Sequence, residues 1–360
     1  MSKILYVAST YKHIENFHID YIAALTEEGH TVLTMASGEG ADFDVPFEKK
    51  IFSAKNRAAR AKIREILRRE KFDVIILNTT LAAFHVRLSL PRKERPRVVN
   101  FVHGYLFSKD TPKIKSALYL ACEKYLACKT DAVIVMNGED REIAKKHKLT
   151  RGKIYSTLGM GIKKKTPALD SVTIREELGA GEDFVLTFVG ELSDRKNQRF
   201  LISAQKELIP HIPNAKLWLV GEGESREELL YLAKGLGIKS AVRFFGSRED
   251  VADLLYASDL YVSAAVSEGL PFNIGEAMAL GKTVVASRVK GHADMIKEGE
   301  SGFLYTLNST EEYISLVKKL YFKKISLDKN EIEKQFEKFS YGNVFMKTLS
   351  VISEAISYEA

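Results

Sequence analysis

Two glutamates with seven residues between them are the side chains best placed for chemistry in this sequence. They lie in SEGLPFNIGEAMALGKTVVA, residues Ser267–Ala286, where Pro271 and Gly281 predict the start and end of a short helix between two strands. The amino end of such a helix offers N–H groups and a positive dipole to a phosphate. Carboxylates touching that phosphate would repel it, so we expect Glu268 and Glu276 to accept hydrogen bonds from hydroxyls on either side. Alone, such a pair is more often solvated.

Adjacent cations follow a second apolar strand. In FVGELSDRKNQ, residues Phe188–Gln198, the strand ends at Gly190 and a polar loop then carries Arg195 and Lys196. A guanidinium fork and an ammonium suit a diphosphate, and they also suit the charge that develops on a departing phosphate. Taken alone, an Arg-Lys pair in a loop is usually solvated.

A histidine ends a strand in the first half of the chain. In VHGY, residues 102–105, we expect His103 to face a cleft between two domains, although a lone histidine is more often structural than catalytic. The Gly221–Gly223 turn permits close backbone approach, but its spacing is not that of a dinucleotide fingerprint.

The elements that must position these residues alternate between short apolar runs and longer amphipathic stretches, which is typical of parallel sheets covered by helices. The predicted strands are Ile4–Ala8, Thr31–Met35, Val74–Leu77, Val98–Val102, Ala132–Val135, Phe184–Val189, Lys216–Val220, Val242–Phe245, Leu260–Val262 and Thr283–Ala286. Helices are predicted between them, for example over Asn16–Glu28 and Ala58–Glu70. With a link near Lys163–Thr173, the pattern predicts two doubly wound α/β domains with ligands at the carboxyl ends of the strands.

Composition narrows the class of protein. A chain of 360 residues with 45% hydrophobic and 28% charged residues can form two domains with sizeable cores. Because it has only two cysteines, Cys122 and Cys128, we expect neither a disulfide framework nor a structural zinc site. No apolar run approaches the ~20 residues of a membrane span, and the N-terminus lacks the apolar core of a signal peptide. We therefore expect a soluble, intracellular protein.

Positive charge is concentrated in the first half. Residues 1–165 hold 31 Lys and Arg against 18 Asp and Glu, whereas residues 166–360 hold 23 against 29. The segment Arg57–Lys71, the loop 91–97 and Lys163–Lys165 predict contact with an anionic membrane surface, although an ordinary surface helix explains the first of them as well. Nucleic acid is not expected, because aromatic residues are not interleaved with these charges.

Together these segments resemble glycosyltransferase family 4, retaining enzymes of the GT-B fold. The Glu-x7-Glu spacing with its Glu-Ala-Met-Ala-x-Gly continuation and the Phe-Val-Gly-x-Leu…Lys element carry the resemblance over about residues 184–305. The opening Lys3–His30, with STYKHIENFH, looks like members that build capsular or exopolysaccharide repeat units. The resemblance implies two Rossmann-like domains facing across a cleft: an acceptor domain over 1–165, a nucleotide-sugar domain over 166–340, and a helix over 341–360 returning to the first domain.

The resemblance also implies roles for single residues. Glu268 would contact the donor sugar, Glu276 the ribose, and Arg195 with Lys196 the diphosphate, while His103 would lie by the transferred sugar. The implied catalytic residues are His103, Glu268, Arg195 and Lys196. The remaining donor-binding residues would be Gly190, Phe245, Gly246, Ser247, Gly269, Leu270, Pro271, Phe272 and Asn273, and the acceptor-side residues Lys12, His13 and Asn16.

Two departures from the family pattern concern charge and the first turn. Glu191 stands where many relatives have an arginine, so Arg195 would have to replace it, and Ser9–Asn16 replaces a Gly-Gly turn. No Asp-x-Asp motif occurs, so we expect transfer without a metal or any other cofactor. Retention would follow from same-face attack, with the leaving phosphate helping to remove the acceptor proton.

The sequence thus predicts a retaining glycosyltransferase that moves a sugar from a nucleotide-sugar, with UDP favoured, to a lipid-linked saccharide acceptor in cell-surface polysaccharide synthesis. We expect it to be cytoplasmic and peripheral on the inner face of the membrane. A nucleotide-sugar epimerase on the same fold is the alternative, and it would need no acceptor. A non-catalytic anion-binding protein also fits the charge, but it leaves the Glu-x7-Glu context unexplained.

Overall fold

The computed structural model describes residues 1–48, 51–107 and 111–357, and the chain divides into two compact units. Unit 1 comprises Met1–Met160 and the segment from Val344 onward, and unit 2 comprises Gly161–Asn343. The sequence placed these divisions at residues 165 and 340. Residues 358–360, the end of the expected C-terminal helix, lie outside the described residues.

A parallel sheet forms the centre of unit 1. Its strands are β1 (Lys3–Thr10), β2 (Thr31–Ser37), β3 (Phe43–Asp44), β4 (Val74–Leu77), β5 (Arg97–Val102), β6 (Ala132–Val135) and β7 (Ile154–Ser156). Their order in the seven-stranded sheet is β3-β2-β1-β4-β5-β6-β7. Strands β4 and β6 read VIIL and AVIV and are buried throughout, as expected of parallel strands covered on both faces.

Helices surround that sheet, and the last helix of the chain returns to it. They are α1 (Tyr11–Phe17), α2 (Ile19–Glu27), α3 (Asn56–Arg69), α4 (Thr80–Ser89), α5 (Lys113–Ala127) and α6 (Gly138–His147), with α15 (Tyr341–Ser357) at the end of the chain. Thr348 Oγ1 donates to Gly159 O at 2.9 Å, and Arg97 Nε donates to Ala355 O at 2.9 Å. The return of the final helix to the first unit, which the family resemblance implied, is confirmed.

Unit 2 repeats the plan. Its strands are β8 (Phe184–Val189), β9 (Ala215–Val220), β10 (Val242–Gly246), β11 (Leu260–Ser263), β12 (Thr283–Ser287) and β13 (Gly302–Tyr305). They form a six-stranded parallel sheet in the order β10-β9-β8-β11-β12-β13. The helices are α7 (Ser171–Glu177), α8 (Gln198–Leu208), α9 (Arg226–Gly235), α10 (Val251–Ala257), α11 (Phe272–Ala279), α12 (His292–Met295), α13 (Thr310–Tyr321) and α14 (Lys329–Glu337).

The predicted α/β class and all ten predicted strands are confirmed to within a few residues. The single helix predicted over Asn16–Glu28 is wrong, because the chain forms α1 and α2 with a break at His18. Pro271 also lies one position earlier than expected, at the N-cap of α11 rather than inside its first turn. Among the described residues, no helix combines the length and the apolar character needed to cross a membrane.

Candidate active site

The loops at the carboxyl ends of β8, β9, β10 and β11 meet at one edge of unit 2. Gly190 N donates to Val220 O at 2.9 Å, and Gly221 N donates to Gly246 O at 2.7 Å. Val266 N donates to Arg195 O at 2.9 Å, which joins the loop after β8 to the loop after β11. These backbone bonds give the polar loops fixed positions, as a site that must hold a charged ligand requires.

The turn after β9 requires glycine at its first position. A Cβ on Gly221 would lie 2.0 Å from Gly190 O, and its φ of +133° is one that other residues rarely adopt. The glycine therefore lets the loops after β8 and β9 approach each other closely. This explains the Gly221–Gly223 turn without a dinucleotide fingerprint.

Both cations of the loop after β8 form ion pairs with Glu268. Arg195 Nη1 lies 2.9 Å from Glu268 Oε2, and Lys196 Nζ lies 2.6 Å from Oε1. The Lys196 and Glu268 side chains are 11% and 8% exposed, whereas that of Arg195 is 44% exposed. Lys196 is therefore the buried member of the cation pair, and Arg195 reaches solvent.

Electrostatics keeps this buried carboxyl ionised. Burial alone would raise the pKa of Glu268, but Lys196 and Arg195 outweigh burial and lower that pKa to about 2. The three side chains thus carry two positive charges and one negative charge. The excess positive charge makes the cluster attractive to an anion.

Helix α11 begins beside this cluster. Pro271, which has no side-chain acceptor, occupies the N-cap, and Asn273 Nδ2 donates to Val189 O at 2.6 Å. A Cβ on Gly190 would lie 3.5 Å from Asn273 Nδ2. The amino end of α11 and the glycine after β8 are therefore adjacent, which is the arrangement that a phosphate seat at a helix terminus needs.

Glu276 has a different environment one turn into α11. Its Oε1 lies 3.7 Å from Lys165 Nζ, and its side chain is 26% exposed. Burial raises the pKa of Glu276, and the opposing effect of Lys165 does not cancel that rise. A carboxyl in this setting is suited to hydrogen-bonding a hydroxyl.

A second polar cluster lies at the carboxyl edge of the sheet in unit 1. His13 belongs to α1, His18 lies between α1 and α2, and His103 follows β5. One ring nitrogen from each histidine lies within 4.8 Å of the other two, and ring centroids of successive pairs are 4.9–5.2 Å apart. We call these three residues the histidine cluster.

Burial keeps the histidine cluster uncharged. It lowers the pKa of His13 to about 4 and that of His18 and His103 well below the usual range. Tyr6, which is fully buried in β1, has its hydroxyl oxygen 2.9 Å from His18 Nδ1.

Both units of the chain match families of known proteins. The family model described as Glycosyl transferases group 1 matches residues 170–338, and the model Glycosyltransferase Family 4 matches residues 14–156. EpsD of Bacillus subtilis, named as a glycosyltransferase, is 29% identical over 334 residues, which cover 89% of this chain and 88% of EpsD. The chain belongs to glycosyltransferase family 4.

This family 4 glycosyltransferase also resembles a second curated enzyme and several solved structures. The UDP-Gal:alpha-D-GlcNAc-diphosphoundecaprenol alpha-1,3-galactosyltransferase of Escherichia coli is 28% identical over 274 residues, 74% of this chain and 71% of that enzyme. Anabaena HepE in complex with UDP and glucose superposes with a TM-score of 0.78 at 22% identity, over 98% of this chain and 100% of HepE. Sucrose-phosphate synthase of Thermosynechococcus elongatus gives a TM-score of 0.76 at 16% identity over 98% of each chain. The fold is GT-B.

The structure brings most of the expected donor-side residues of the transferase to one edge. The contacts described for this edge join Gly190, Arg195, Lys196, Gly246 and Glu268. Asn273 is joined to them through β8. Gly269, Leu270 and Pro271 are buried between Glu268 and α11, which Phe272 begins.

The three donor-binding residues expected at the end of β10, which are Phe245, Gly246 and Ser247, differ in their surroundings. The Phe245 ring packs on Trp218 at 5.1 Å between centroids, and Arg243 Cζ lies 4.6 Å from that ring. Ser247 is exposed. Phe245 therefore has a packing role in unit 2, whereas Gly246 and Ser247 remain at the edge where the loops meet.

The expected acceptor-side residues separate into two kinds. His13 belongs to the histidine cluster, but Lys12 and Asn16 are exposed on α1 and have no place in that cluster. His18 and Tyr6 were missed. A second histidine five residues after His13, near the end of a predicted strand, is the sequence signal that could have identified His18.

A buried histidine beside Glu268 was also missed in the transferase site. His292 is 1% exposed, its Nδ1 lies 2.8 Å from Ser287 O, and its Nε2 lies 3.4 Å from Ser263 Oγ. Burial lowers the pKa of His292 to about 4, although the charge of Glu268 opposes that change. His292 is therefore neutral, and it adds no third cation to the cluster.

Proposed function

We propose that this glycosyltransferase moves a sugar from a nucleoside diphosphate sugar, with UDP as the nucleotide, to a lipid-linked saccharide acceptor with retention of anomeric configuration. The observation that carries the proposal is the Arg195–Lys196–Glu268 cluster beside the amino end of α11. No metal is required at the diphosphate, because two cations and a helix terminus already supply positive charge there.

The ion pairs suggest how the donor enters. Each cation contacts a separate oxygen of Glu268, at 2.9 Å for Arg195 and 2.6 Å for Lys196. A diphosphate that attracts these cations frees the carboxylate oxygens to accept hydrogen bonds from hydroxyls of the donor sugar. Glu268 thus holds the cations in place before the donor arrives and contacts the sugar afterwards.

Catalysis follows from where charge develops. Breaking the bond between the sugar and the phosphate places negative charge on the departing diphosphate, next to Lys196 and Arg195, and positive charge on the anomeric carbon, near Glu268. Fixed groups in a site with little water are worth several kcal/mol to such a transition state. Same-face attack by the acceptor, with the leaving phosphate taking its proton, then gives retention.

The proposed donor and acceptor are supported by the names of similar proteins. The Escherichia coli relative is named for a diphosphoundecaprenol acceptor and a UDP-sugar donor, and HepE was crystallised with UDP. We extend both to this chain, with His103 beside the transferred sugar and Glu276 beside the ribose. None of the relatives described above is an epimerase, so we do not propose that activity.

Calorimetric titration with UDP, and with GDP for comparison, tests donor binding. We expect Lys196→Ala to weaken UDP binding and to abolish sugar transfer, because it removes the buried cation from the cluster. Lys206→Ala, an exposed lysine on α8, is the matched control and should leave both unchanged. Full activity in Lys196→Ala would refute the assigned role, and sugar products formed without acceptor would indicate an epimerase.

We also propose that unit 1 binds an anionic membrane surface, where a lipid-linked acceptor would be found. Helix α3 exposes a row of cations, which are Arg57, Lys62, Arg64, Arg68 and Arg69. On α5, Ile114 and Leu118 are four residues apart and 88% and 50% exposed. The exposed Phe52 ring stacks on Tyr119 of α5, so the segment before α3 and α5 are neighbours. Exposed apolar side chains beside cations are typical of membrane-surface helices.

Flotation with liposomes tests this proposal. We expect binding to phosphatidylglycerol vesicles, little binding to phosphatidylcholine vesicles, and release as salt is raised. Arg64→Glu with Arg68→Glu should weaken binding by at least about tenfold, since each charge near the surface contributes ~1 kcal/mol. Lys234→Glu with Lys239→Glu, both exposed in unit 2, is the control. Absence from anionic vesicles at every salt concentration would exclude the proposal.

A further inference from the structure

The histidine cluster has a geometry that sugar transfer alone does not explain. Its three imidazoles come from three separate segments: α1, the break before α2, and the turn after β5. One ring nitrogen from each lies within 4.8 Å of the other two. Phe17 and Phe101 pack near His13 and His103, with centroids 5.1 Å apart in each case. The fold therefore brings three imidazole nitrogens together among aromatic side chains.

The hydrogen bonding of these rings is incomplete. In the described part of the chain, Nε2 of His13, His18 and His103 is buried and has no hydrogen-bond partner. A buried polar atom without a partner costs about 1–3 kcal/mol, and a native protein rarely leaves several together without a purpose. The three ring nitrogens are therefore available to a ligand.

We propose that His13, His18 and His103 form a binding site for a divalent first-row transition metal ion of the zinc class. Imidazole nitrogen is a preferred ligand of Zn²⁺, Cu²⁺ and Ni²⁺, and three histidines with one open position are a known zinc arrangement. Zinc–nitrogen bonds of about 2.0–2.1 Å require ligand atoms roughly 3.3 Å apart, so the three rings must turn toward one another when they bind the ion. His18 is buried while His13 and His103 are half-buried, which leaves one side for a fourth ligand.

Tyr6 supplies the outer contact that such a site needs. Metal-binding histidines usually donate their second ring N–H to an oxygen, which fixes the orientation of the ring. The hydroxyl oxygen of Tyr6 lies 2.9 Å from His18 Nδ1, and it can accept that hydrogen bond. His18 Nε2 then presents its lone pair to the cluster.

This inference does not depend on the proposed sugar transfer, because the donor cluster lies in unit 2 and the metal site lies in unit 1. It does give His103 a second candidate ligand besides the transferred sugar. The test therefore measures metal binding rather than activity, and UDP titration of the same samples reports separately on unit 2.

The experiment uses the full chain without a histidine tag, stripped with a chelator and dialysed. Titration with ZnCl₂ and elemental analysis after gel filtration should give one equivalent per chain, and Co²⁺ should give the visible absorption of a tetrahedral complex. We expect His13→Asn with His103→Asn to abolish stoichiometric binding and Tyr6→Phe to weaken it by about 10- to 100-fold. His147→Asn, on α6 of the same unit, is the matched control and should bind as the unchanged chain does.

Two results would overturn the site. One is the absence of stoichiometric Zn²⁺ or Co²⁺ binding by the unchanged chain, which requires no variant and so no assumption about folding. The other is binding by the His13→Asn, His103→Asn chain with unchanged affinity. Either would mean that the buried nitrogens serve sugar or acceptor hydroxyls only.

Discussion

The two polar clusters of this glycosyltransferase bury their groups in opposite ways. In unit 2, Lys196 and Glu268 stay charged and are paired at 2.6 Å, and the cations lower the pKa of Glu268 to about 2. In unit 1, burial lowers the pKa of all three members of the histidine cluster, so that they remain neutral. One cluster compensates its charges, and the other loses them.

The difference determines what each cluster can bind. A charged pair can exchange partners, so an incoming diphosphate can take the place of Glu268 at the cations. Neutral nitrogens have no charge to exchange, and they bind through hydrogen bonds or metal coordination. We therefore propose that unit 2 binds an anion and that unit 1 binds a ligand with hydroxyl groups or a metal ion that accepts lone pairs.

Replacing Glu268 by Gln is expected to have the largest effect on stability and sugar transfer, because it removes the only negative charge of the Arg195–Lys196–Glu268 cluster. It leaves Lys196 buried without its carboxylate, so the free energy of unfolding should fall by about 3 kcal/mol. Transfer should fall by about 10- to 100-fold because a charged acceptor for sugar hydroxyls is lost. UDP should bind no more weakly, since the cations are no longer compensated. Denaturant unfolding, transfer assays and calorimetry measure these quantities.

Glu207→Gln is the control for that variant, because Glu207 is exposed on α8. If Glu268→Gln lost UDP affinity while transfer stayed intact, the carboxylate would be part of the nucleotide seat and not a partner of the sugar.

His292 tests whether a buried histidine next to the charged cluster of unit 2 also stays neutral. Its ring is neutral in the native state because burial lowers its pKa to about 4. The unfolded ring has a pKa near 6.5, so between pH 6.5 and 4 the unfolded state binds a proton that the native state does not. Stability should therefore fall as the pH falls through this window, by about 3 kcal/mol from this group.

Comparing unfolding free energies at several pH values isolates this contribution. His292→Gln should flatten the pH dependence by the stated amount, whereas His211→Gln, an exposed histidine, should leave the dependence unchanged. Parallel pH profiles for His292→Gln and the unchanged chain would show that the ring titrates normally in the native state.

Sequence reasoning predicted the fold well because parallel strands covered on both faces are continuous apolar runs. β4 and β6 are read directly from VIIL and AVIV. The strands that it missed are short ones at the edges of the sheets, such as β3 with two residues and β7 with three. Two or three residues do not establish a period, so no local pattern distinguishes them from loops.

The candidate site was predicted only where chemistry follows local spacing. Glu268, Glu276 and the Arg195–Lys196 pair were each found in a short motif. Their pairing was not found, because it depends on two loops that are 72 residues or more apart in the chain. His18 was missed because apolar periodicity predicted one continuous helix through it, whereas the chain breaks there.

Of the substitutions discussed, Arg195→Ala is expected to change the free energy of unfolding least. The Arg195 side chain is 44% exposed, and exposed ion pairs contribute at most about 1 kcal/mol, so stability should change by no more than that. UDP affinity should nevertheless fall about tenfold, because a bidentate partner for phosphate is lost. Lys196→Ala should cost more in both measurements. If Arg195→Ala cost more stability than Lys196→Ala, Arg195 would be the cation that keeps Glu268 ionised, and Lys196 would be free to follow the departing phosphate.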